Sequence, residues 1–292
     1  MQGLVLKAIS GFYYVENGEK VYECRARGRF KNQKLTPLVG DRVEFSPLGE
    51  KGTVEEILPR KNELYRPPVA NIDKLFIVSS AQTPAPNALL IDRLTALCAY
   101  KNIEPIILFN KNDLEDMGEW TAKYKNAGFK TITCSAKIGE GIEEIRQELK
   151  NSVSAFSGNS GAGKSSLLNL LFSEFKLSTG EVSEKLGRGR HTTRHCELFR
   201  HEFSGYVADT PGFSSLESDK DDIDFKEALP ECFIDFENFR NDCRFSDCQH
   251  LGEKGCAVCE AVEKGLIEKT RYESYLTLYE ELKDIKAWNI KK

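Results

Sequence analysis

The chain has 292 residues, 40% of them hydrophobic and 29% charged, with a formal net charge of −4 at pH 7. That allows two or three domains with a sizeable buried core, in the composition range of soluble globular proteins. No run approaches the roughly 18 apolar residues of a membrane helix, and Met1 to Lys7 has too few apolar residues before its first charge to read as a signal peptide. The expectation is a cytoplasmic protein with no membrane partner.

The nine cysteines are an odd number, which argues against a fully paired disulfide framework. Five lie between Cys232 and Cys259, a clustering that suggests metal rather than oxidation. Cys24, Cys98, Cys134 and Cys196 are scattered and read as small core residues. Charge is uneven too. Arg25, Arg27, Arg29, Lys31 and Lys34 form a basic stretch around Phe30 with no acid in it, whereas Glu217 to Asp224 is strongly acidic. A basic patch on a mildly acidic protein points to a polyanionic partner for one surface.

In chain order, residues 1 to 66 read as short strands: Leu4–Ile9, Phe12–Val15, Val21–Cys24, Pro37–Gly40, Asp41–Phe45 and Gly52–Ile57. Ser10-Gly11 and the hairpin signal Asn17-Gly18 separate the first three. Such a series suggests a small barrel of OB type, with an SH3-like barrel giving a similar pattern. Arg66-Pro67-Pro68 reads as a stiff boundary. From Ile72 the pattern alternates. Leu75–Ser79, Pro105–Phe109, Thr131–Cys134 and Val153–Phe156 read as buried strands; Leu89–Tyr100, Met117–Ala127, Ile142–Leu149 and Ser165–Phe172 read as helices. This is the signature of a parallel sheet covered by helices on both faces. Beyond about residue 218 a cysteine-rich loop region is followed by a helix from Glu268 to Ala287. Its stripe of Tyr272, Tyr275, Leu276, Tyr279, Leu282 and Ile285 reads as a core-facing seam, with Thr270 and Glu273 as a capping box.

Residues 158–165 match the phosphate-binding pattern G-x-x-x-x-G-K-[ST] at every required position: Gly158, Asn159, Ser160, Gly161, Ala162, Gly163, Lys164, Ser165. Backbone N–H groups of such a loop curl around phosphate oxygens at a helix N-terminus, here extended by Ser166. Lys164 is placed to reach the β- and γ-phosphates and the Ser165 hydroxyl to ligate Mg²⁺. Asn110-Lys111-Asn112-Asp113 follows a buried strand, where ligand-contacting loops of parallel sheets emerge. A carboxylate at Asp113 can accept both N1–H and N2–H of guanine, a pair adenine does not offer. Asn110 is expected to brace the neighbouring loops, and Ser135-Ala136-Lys137 to offer a backbone N–H to guanine O6. Asp209-Thr-Pro-Gly212 supplies a carboxylate for Mg²⁺ through water and an N–H for the γ-phosphate. Between lies a basic, glycine-rich loop, Gly187 to His195, from which Thr193 is favoured over Thr192 to complete the Mg²⁺ shell. Two segments that grip and release the γ-phosphate form a switch.

The motif order is rotated: the guanine motifs precede the phosphate loop. This set, with a barrel before it and a Cys/His cluster after it, resembles the circularly permuted GTPases. Over essentially its whole length the chain resembles the ribosome small subunit-dependent GTPase A family (RsgA). The resemblance implies an OB domain at 1–66, a permuted GTPase domain at 67–218 and a zinc-binding helical domain at 219–292. It also implies GTP hydrolysis stimulated by the small (30S) ribosomal subunit during late maturation. Asn151-Ser152 is then the join between the old termini, and the C-terminal domain hangs directly from the segment that senses γ-phosphate.

Ras-like proteins place a water-orienting glutamine after the DxxG segment; here that position is Phe213. His191 is the natural substitute, favoured by the resemblance. Cys243, Cys248, His250 and Cys256 fit a closed tetrahedral zinc site, one per chain, and the resemblance strengthens that reading. Cys259 is an alternative to Cys256, and Cys232 a more distant one. The basic stretch is expected to touch rRNA. Two other readings are an RNA-binding module using GTP as a structural ligand and a P-loop enzyme acting on a small molecule. The expected protein is a monomer that cycles between GTP and GDP.

Overall fold

The alternating apolar residues near the N-terminus close into a barrel. The computed structural model describes residues 1–28, 30, 35–65, 67–172, 196–209 and 226–283. These fall into two compact units. One holds Met1–Lys74, Arg146–Ala155 and 196–209; the other holds Leu75–Ile145, 156–172 and 226–283.

In the first unit, β1 (Gln2–Ile9), β2 (Phe12–Asn17), β3 (Lys20–Ala26), β4 (Arg42–Leu48) and β5 (Lys51–Ile57) run in the order β1-β2-β3-β5-β4. β4 pairs back onto β1, and β3 and β5 are parallel. This is an OB-type barrel. Alternate side chains point inward: Val5, Tyr13, Val15, Cys24, Val43, Phe45 and Val54 form the core. Phe30 is only 4% exposed and belongs to this core. Its ring is therefore enclosed by the barrel and does not offer the stacking surface that its basic neighbours suggest.

Two details differ from the sequence reading. Pro37–Gly40 forms a single bridge, Val39 to Val69, and no strand. There the buried Asp41 carboxylate accepts from the Leu38 N–H at 2.7 Å and from Arg60, which holds a turn instead. Next to the expected boundary, Pro68 opens β7 (Pro68–Ala70), which pairs antiparallel with β6 (Glu63–Tyr65) in a short hairpin. Proline is tolerated at the first residue of such a strand.

The same unit contains β11 (Val153–Ser157) as far as Ala155, β12 (Glu197–His201) and β13 (Gly205–Asp209). β11 and β13 are parallel, whereas β12 pairs antiparallel with β13 and with β1. A Lys7–Glu197 ion pair sits at the β1–β12 junction. The sheet is therefore mixed rather than purely parallel, and β12 has no counterpart in the sequence reading.

In the second unit, strands alternate with helices: β8 (Lys74–Ser80) from Leu75 on, α1 (Ala88–Tyr100), β9 (Glu104–Asn110), α2 (Gly118–Asn126), β10 (Lys130–Thr133), α3 (Ile142–Leu149) as far as Ile145, and α4 (Lys164–Leu171). The strand order is β10-β9-β8, with β10 and β9 parallel. Leu75 to Val78 and Ile106 to Phe109 are at most 1% exposed, as expected of strands covered on both faces. Asn87 caps α1 by accepting from the Leu90 N–H at 3.1 Å.

α5 (Leu229–Cys232), α6 (Ala257–Glu263) and α7 (Lys269–Leu282) complete this unit, and α1 packs against α5 and α7. The buried face of α7 is Arg271, Ser274, Tyr275, Leu278 and Leu282, with Tyr272, Leu276 and Tyr279 half-buried beside it. The aromatic stripe thus flanks the seam, which is centred one position earlier. The capping box does not form: α7 starts after Glu268 without a side-chain cap. Among the described residues, no helix is long and apolar enough to cross a membrane.

Candidate functional site

β9 ends in Asn110, β10 leads to Ser135-Ala136-Lys137, and β11 leads to the phosphate loop. One side chain ties the three loops. Asn110, 1% exposed, donates from Nδ2 to the Ala162 carbonyl at 2.8 Å and accepts on Oδ1 from the Ala136 N–H at 3.1 Å. Lys111 has φ +66, a left-handed conformation unusual for lysine. Its ammonium donates to the carbonyls of Gly161 at 2.7 Å, Thr83 at 2.9 Å and Gln82 at 3.2 Å. Asn112 donates to the Glu140 carboxylate at 3.1 Å and accepts from the Met117 N–H at 3.3 Å.

Asp113 accepts on Oδ1 from the Ser135 hydroxyl at 2.5 Å, and the Lys137 ammonium lies 3.7 Å from Oδ2. The Ser135 hydrogen bond above all, helped by Lys137, holds the Asp113 carboxyl below the usual carboxylate range. It is therefore an anion at neutral pH, the state needed to accept two N–H groups from one base edge.

The phosphate loop is shaped by close backbone approach. A Cβ at Gly158 would collide with the Val78 carbonyl oxygen, and one at Gly163 with Asn110 Nδ2. Both have positive φ, so glycine is required twice over. Ala162 is buried, while Ser160, Gly161 and Ser166 are exposed and Asn159 and Ser165 half-buried. Lys164, the first residue of α4, donates to the carbonyls of Gly158 and Asn159. The backbone amides at the start of α4 and the Lys164 ammonium form an anion-attracting concavity.

Asp209 ends β13. Gly212, His191 and Thr193 lie outside the described residues, as do Arg29, Lys31 and Lys34 of the basic stretch. Of that stretch, Arg25 and Arg27 are exposed. The Arg25 guanidinium lies 4.6 Å from the Phe12 ring centroid, and Arg27 pairs with Glu55 at 2.6 Å.

A second constellation lies on the loops before α6. The ligand atoms of Cys243, Cys248, His250 and Cys256 all fall within 4.8 Å of one another. His250 Nδ1 is 3.5 Å from Cys243 Sγ and 3.4 Å from Cys256 Sγ, and the two sulfurs are 3.9 Å apart. Tetrahedral zinc, with Zn–S of about 2.3 Å and Zn–N of about 2.0 Å, needs sulfur–sulfur edges of about 3.8 Å and sulfur–nitrogen edges of about 3.5 Å. The donor set fits that geometry. Burial lowers the His250 pKa, which keeps the ring neutral and able to ligate. Cys256 is also the N-cap of α6, its sulfur accepting from the Cys259 N–H at 3.4 Å. Cys259 itself turns its sulfur to the Tyr272 hydroxyl at 3.3 Å, and Cys232 is buried on α5. Among the described residues neither joins the cluster.

A family model described as RsgA GTPase matches residues 57–219, more than half of the chain. The chain belongs to the RsgA GTPase family. The RsgA N-terminal domain model matches residues 2–54, which hold the barrel. A relative from Caldanaerobacter subterraneus subsp. tengcongensis is 47% identical, with 97% of this chain and 96% of its own covered. One from Geobacillus thermodenitrificans is 46% identical, with 98% of each covered. Both are named small ribosomal subunit biogenesis GTPase RsgA. Among solved structures, YjeQ from Thermotoga maritima matches with a TM-score of 0.83 at 36% identity, over 98% of this chain and 99% of its own. YloQ, described as a circularly permuted GTPase, matches with a TM-score of 0.80 at 37% identity, over 98% and 96%.

Within this RsgA chain, Gln82, Thr83, Cys134 and Glu140 also touch the Asn110–Asp113 loop. Gln82 and Thr83 act through carbonyls, which any residue type supplies. The Cys134 sulfur approaches Asn110 Oδ1 at 3.9 Å. Only Glu140, close after Ser135–Lys137, carried a signal in its residue type.

Proposed function

We propose that this RsgA-family chain hydrolyses GTP to GDP and phosphate and uses that reaction in maturation of the small (30S) ribosomal subunit and its own release. The Asn110-centred linkage of base loops and phosphate loop is the observation that carries this reading. Asp113 accepts the two guanine N–H groups, and Ser135-Ala136-Lys137 offers a backbone N–H to O6. Gly158 to Ser166 surrounds the phosphates with N–H donors, and Lys164 leaves its own loop carbonyls to meet the β- and γ-oxygens. Bound Mg²⁺ would neutralise charge on those oxygens, held by Ser165 and Thr193, with Asp209 acting through water. Gly212 senses the γ-phosphate, and His191 orients the attacking water.

Cys243, Cys248, His250 and Cys256 would hold one structural Zn²⁺, which organises a segment with little core of its own. Arg25, Arg27, Arg29, Lys31 and Lys34 contact rRNA on a monomeric, cytoplasmic protein divided at residues 66 and 218. Co-sedimentation with purified small subunits tests the cycle. Binding should be tighter with a non-hydrolysable GTP analogue than with GDP, and should weaken steeply with salt. Equal binding in both nucleotide states would defeat the reading.

A further inference from the structure

Arg271 is the largest fully buried side chain among the described residues, 1% exposed, and lies where α7 meets α1. Its Nη1 donates to Asp92 Oδ1 on α1 at 2.7 Å, and Nε and Nη2 donate to the Asp235 carboxylate at 2.8 and 2.7 Å. The Tyr124 hydroxyl of α2 donates to the same Asp92 oxygen at 2.9 Å. The guanidinium also lies 4.8 Å from the Phe129 ring centroid and 5.1 Å from that of Phe233. A buried triad of this kind adds little stability over well-packed apolar residues of equal volume. A planar fork between two carboxylates on separate segments instead restricts the docking angle.

The two sides of this lock lead to the two sites. On one side, the Tyr272 hydroxyl donates to the carbonyl of His250 at 2.9 Å and the Tyr275 hydroxyl to that of Gln249 at 2.5 Å, so α7 grips the Cys/His loop. On the other, the residues leading into α1 supply the Gln82 and Thr83 carbonyls that share the Lys111 ammonium with Gly161. Arg93, next to Asp92, reinforces the contact: its Nη2 donates to both carboxylate oxygens of Glu281 of α7, at 3.0 and 2.8 Å.

We propose that Arg271 is a positioning residue that locks the Cys/His segment onto α1, so that this docking sets the loops held by Lys111 and with them the GTP turnover that a bound small subunit stimulates. This inference rests on the subunit-dependent reading above. It differs from transmission through the γ-phosphate segment alone, because it runs to the guanine side. Both sites rest on one packed element, a shared support through which coupling can run.

The test uses full-length protein carrying Arg271→Met, with Arg271→Lys as the conservative variant. Metal content, thermal midpoint and GTP turnover with and without purified small subunits are measured. Arg271→Met should keep its metal and stay within about twofold of the original turnover without subunits. Its stimulation by subunits should fall by about fivefold or more, and Arg271→Lys should recover part of it. Undiminished stimulation in folded Arg271→Met would overturn the inference. So would an equal loss with and without subunits, which marks a merely structural role. Should Arg271→Met fail to fold, the charge-free triple Asp92→Asn, Asp235→Asn, Arg271→Met and the milder Tyr124→Phe face the same comparison. An unstimulated original protein would instead defeat the subunit-dependent reading itself.

Discussion

The Asn110 side-chain amide donates to the Ala162 carbonyl at 2.8 Å, joining the loop after β9 to the phosphate loop. Because its Oδ1 also takes the Ala136 N–H, one residue ties together the three loops to which the proposed function gives base and phosphate recognition. Asn110→Ala leaves the buried partners unsatisfied, at about 1–3 kcal/mol. GTP and GDP should both bind about 10- to 100-fold more weakly in a fluorescent-nucleotide titration. Affinity within twofold of the original would show that the loops hold their spacing without it.

In the proposed function Asp113 carries the choice of base. Asp113→Asn replaces a two-acceptor carboxylate by an amide, so GTP affinity should fall by about a hundredfold or more. Xanthosine triphosphate, which offers a carbonyl where guanine has its amino group, should bind better to the variant than to the original. The pH dependence follows from the lowered pKa of Asp113. The carboxylate persists on acidification below the ordinary aspartate range, so its contribution is present at neutral pH and is lost only as pH falls through the depressed value. A titration of GTP affinity that instead weakened between pH 7 and pH 5 in parallel for Asp113 and Asp113→Asn would assign the pH effect elsewhere.

Much of this site was legible because its chemistry needs particular residue types at fixed spacings. Gly158, Gly163, Lys164 and Asp113 cannot be exchanged for neighbours in size or polarity, so they announce themselves. Cys243, Cys248, His250 and Cys256 could be narrowed but not settled, since spacing left Cys259 open until its sulfur was found facing Tyr272. Gln82 and Thr83 act through backbone carbonyls, which leave no trace in residue type. Arg271 was hidden by its neighbours: an arginine beside tyrosines on an amphipathic helix reads as solvent-facing, and only two distant carboxylates make its burial tolerable. Phe30 failed in the opposite sense, because a lone aromatic among cations looks exposed until a barrel closes over it.

The Cys/His cluster should bind one metal ion per chain. Loaded with Co²⁺, the protein should show the intense visible bands of a tetrahedral thiolate site, and Zn²⁺ should displace them. Cys248→Ser should abolish stoichiometric binding and raise hydrogen exchange over 243–259. Cys259→Ser should bind metal as before. The reverse ranking would exchange the roles of the two cysteines.

His201, at the end of β12, is 9% exposed and accepts the Phe203 N–H on Nδ1 at 3.2 Å, a bond that needs the neutral ring. Burial lowers its pKa to about 4. The unfolded chain, with an ordinary value of about 6.5, then binds one more proton between those limits. Its contribution to stability is complete above about pH 6.5 and declines as pH falls toward 4, by at most about 3 kcal/mol. His201→Gln should lower the melting point at pH 7 yet flatten its fall between pH 6.5 and 4.5. An unchanged slope would mean that other groups govern acid stability.

GTP turnover by the full chain, measured with and without purified small ribosomal subunits, bears most directly on the whole account. The expected result is slow turnover alone and an increase of about tenfold or more with subunits, abolished by Lys164→Ala and much reduced by His191→Ala with GTP binding retained. Turnover indifferent to subunits would contradict it, and would leave a guanine-nucleotide-binding protein whose cycle is not tied to the ribosome.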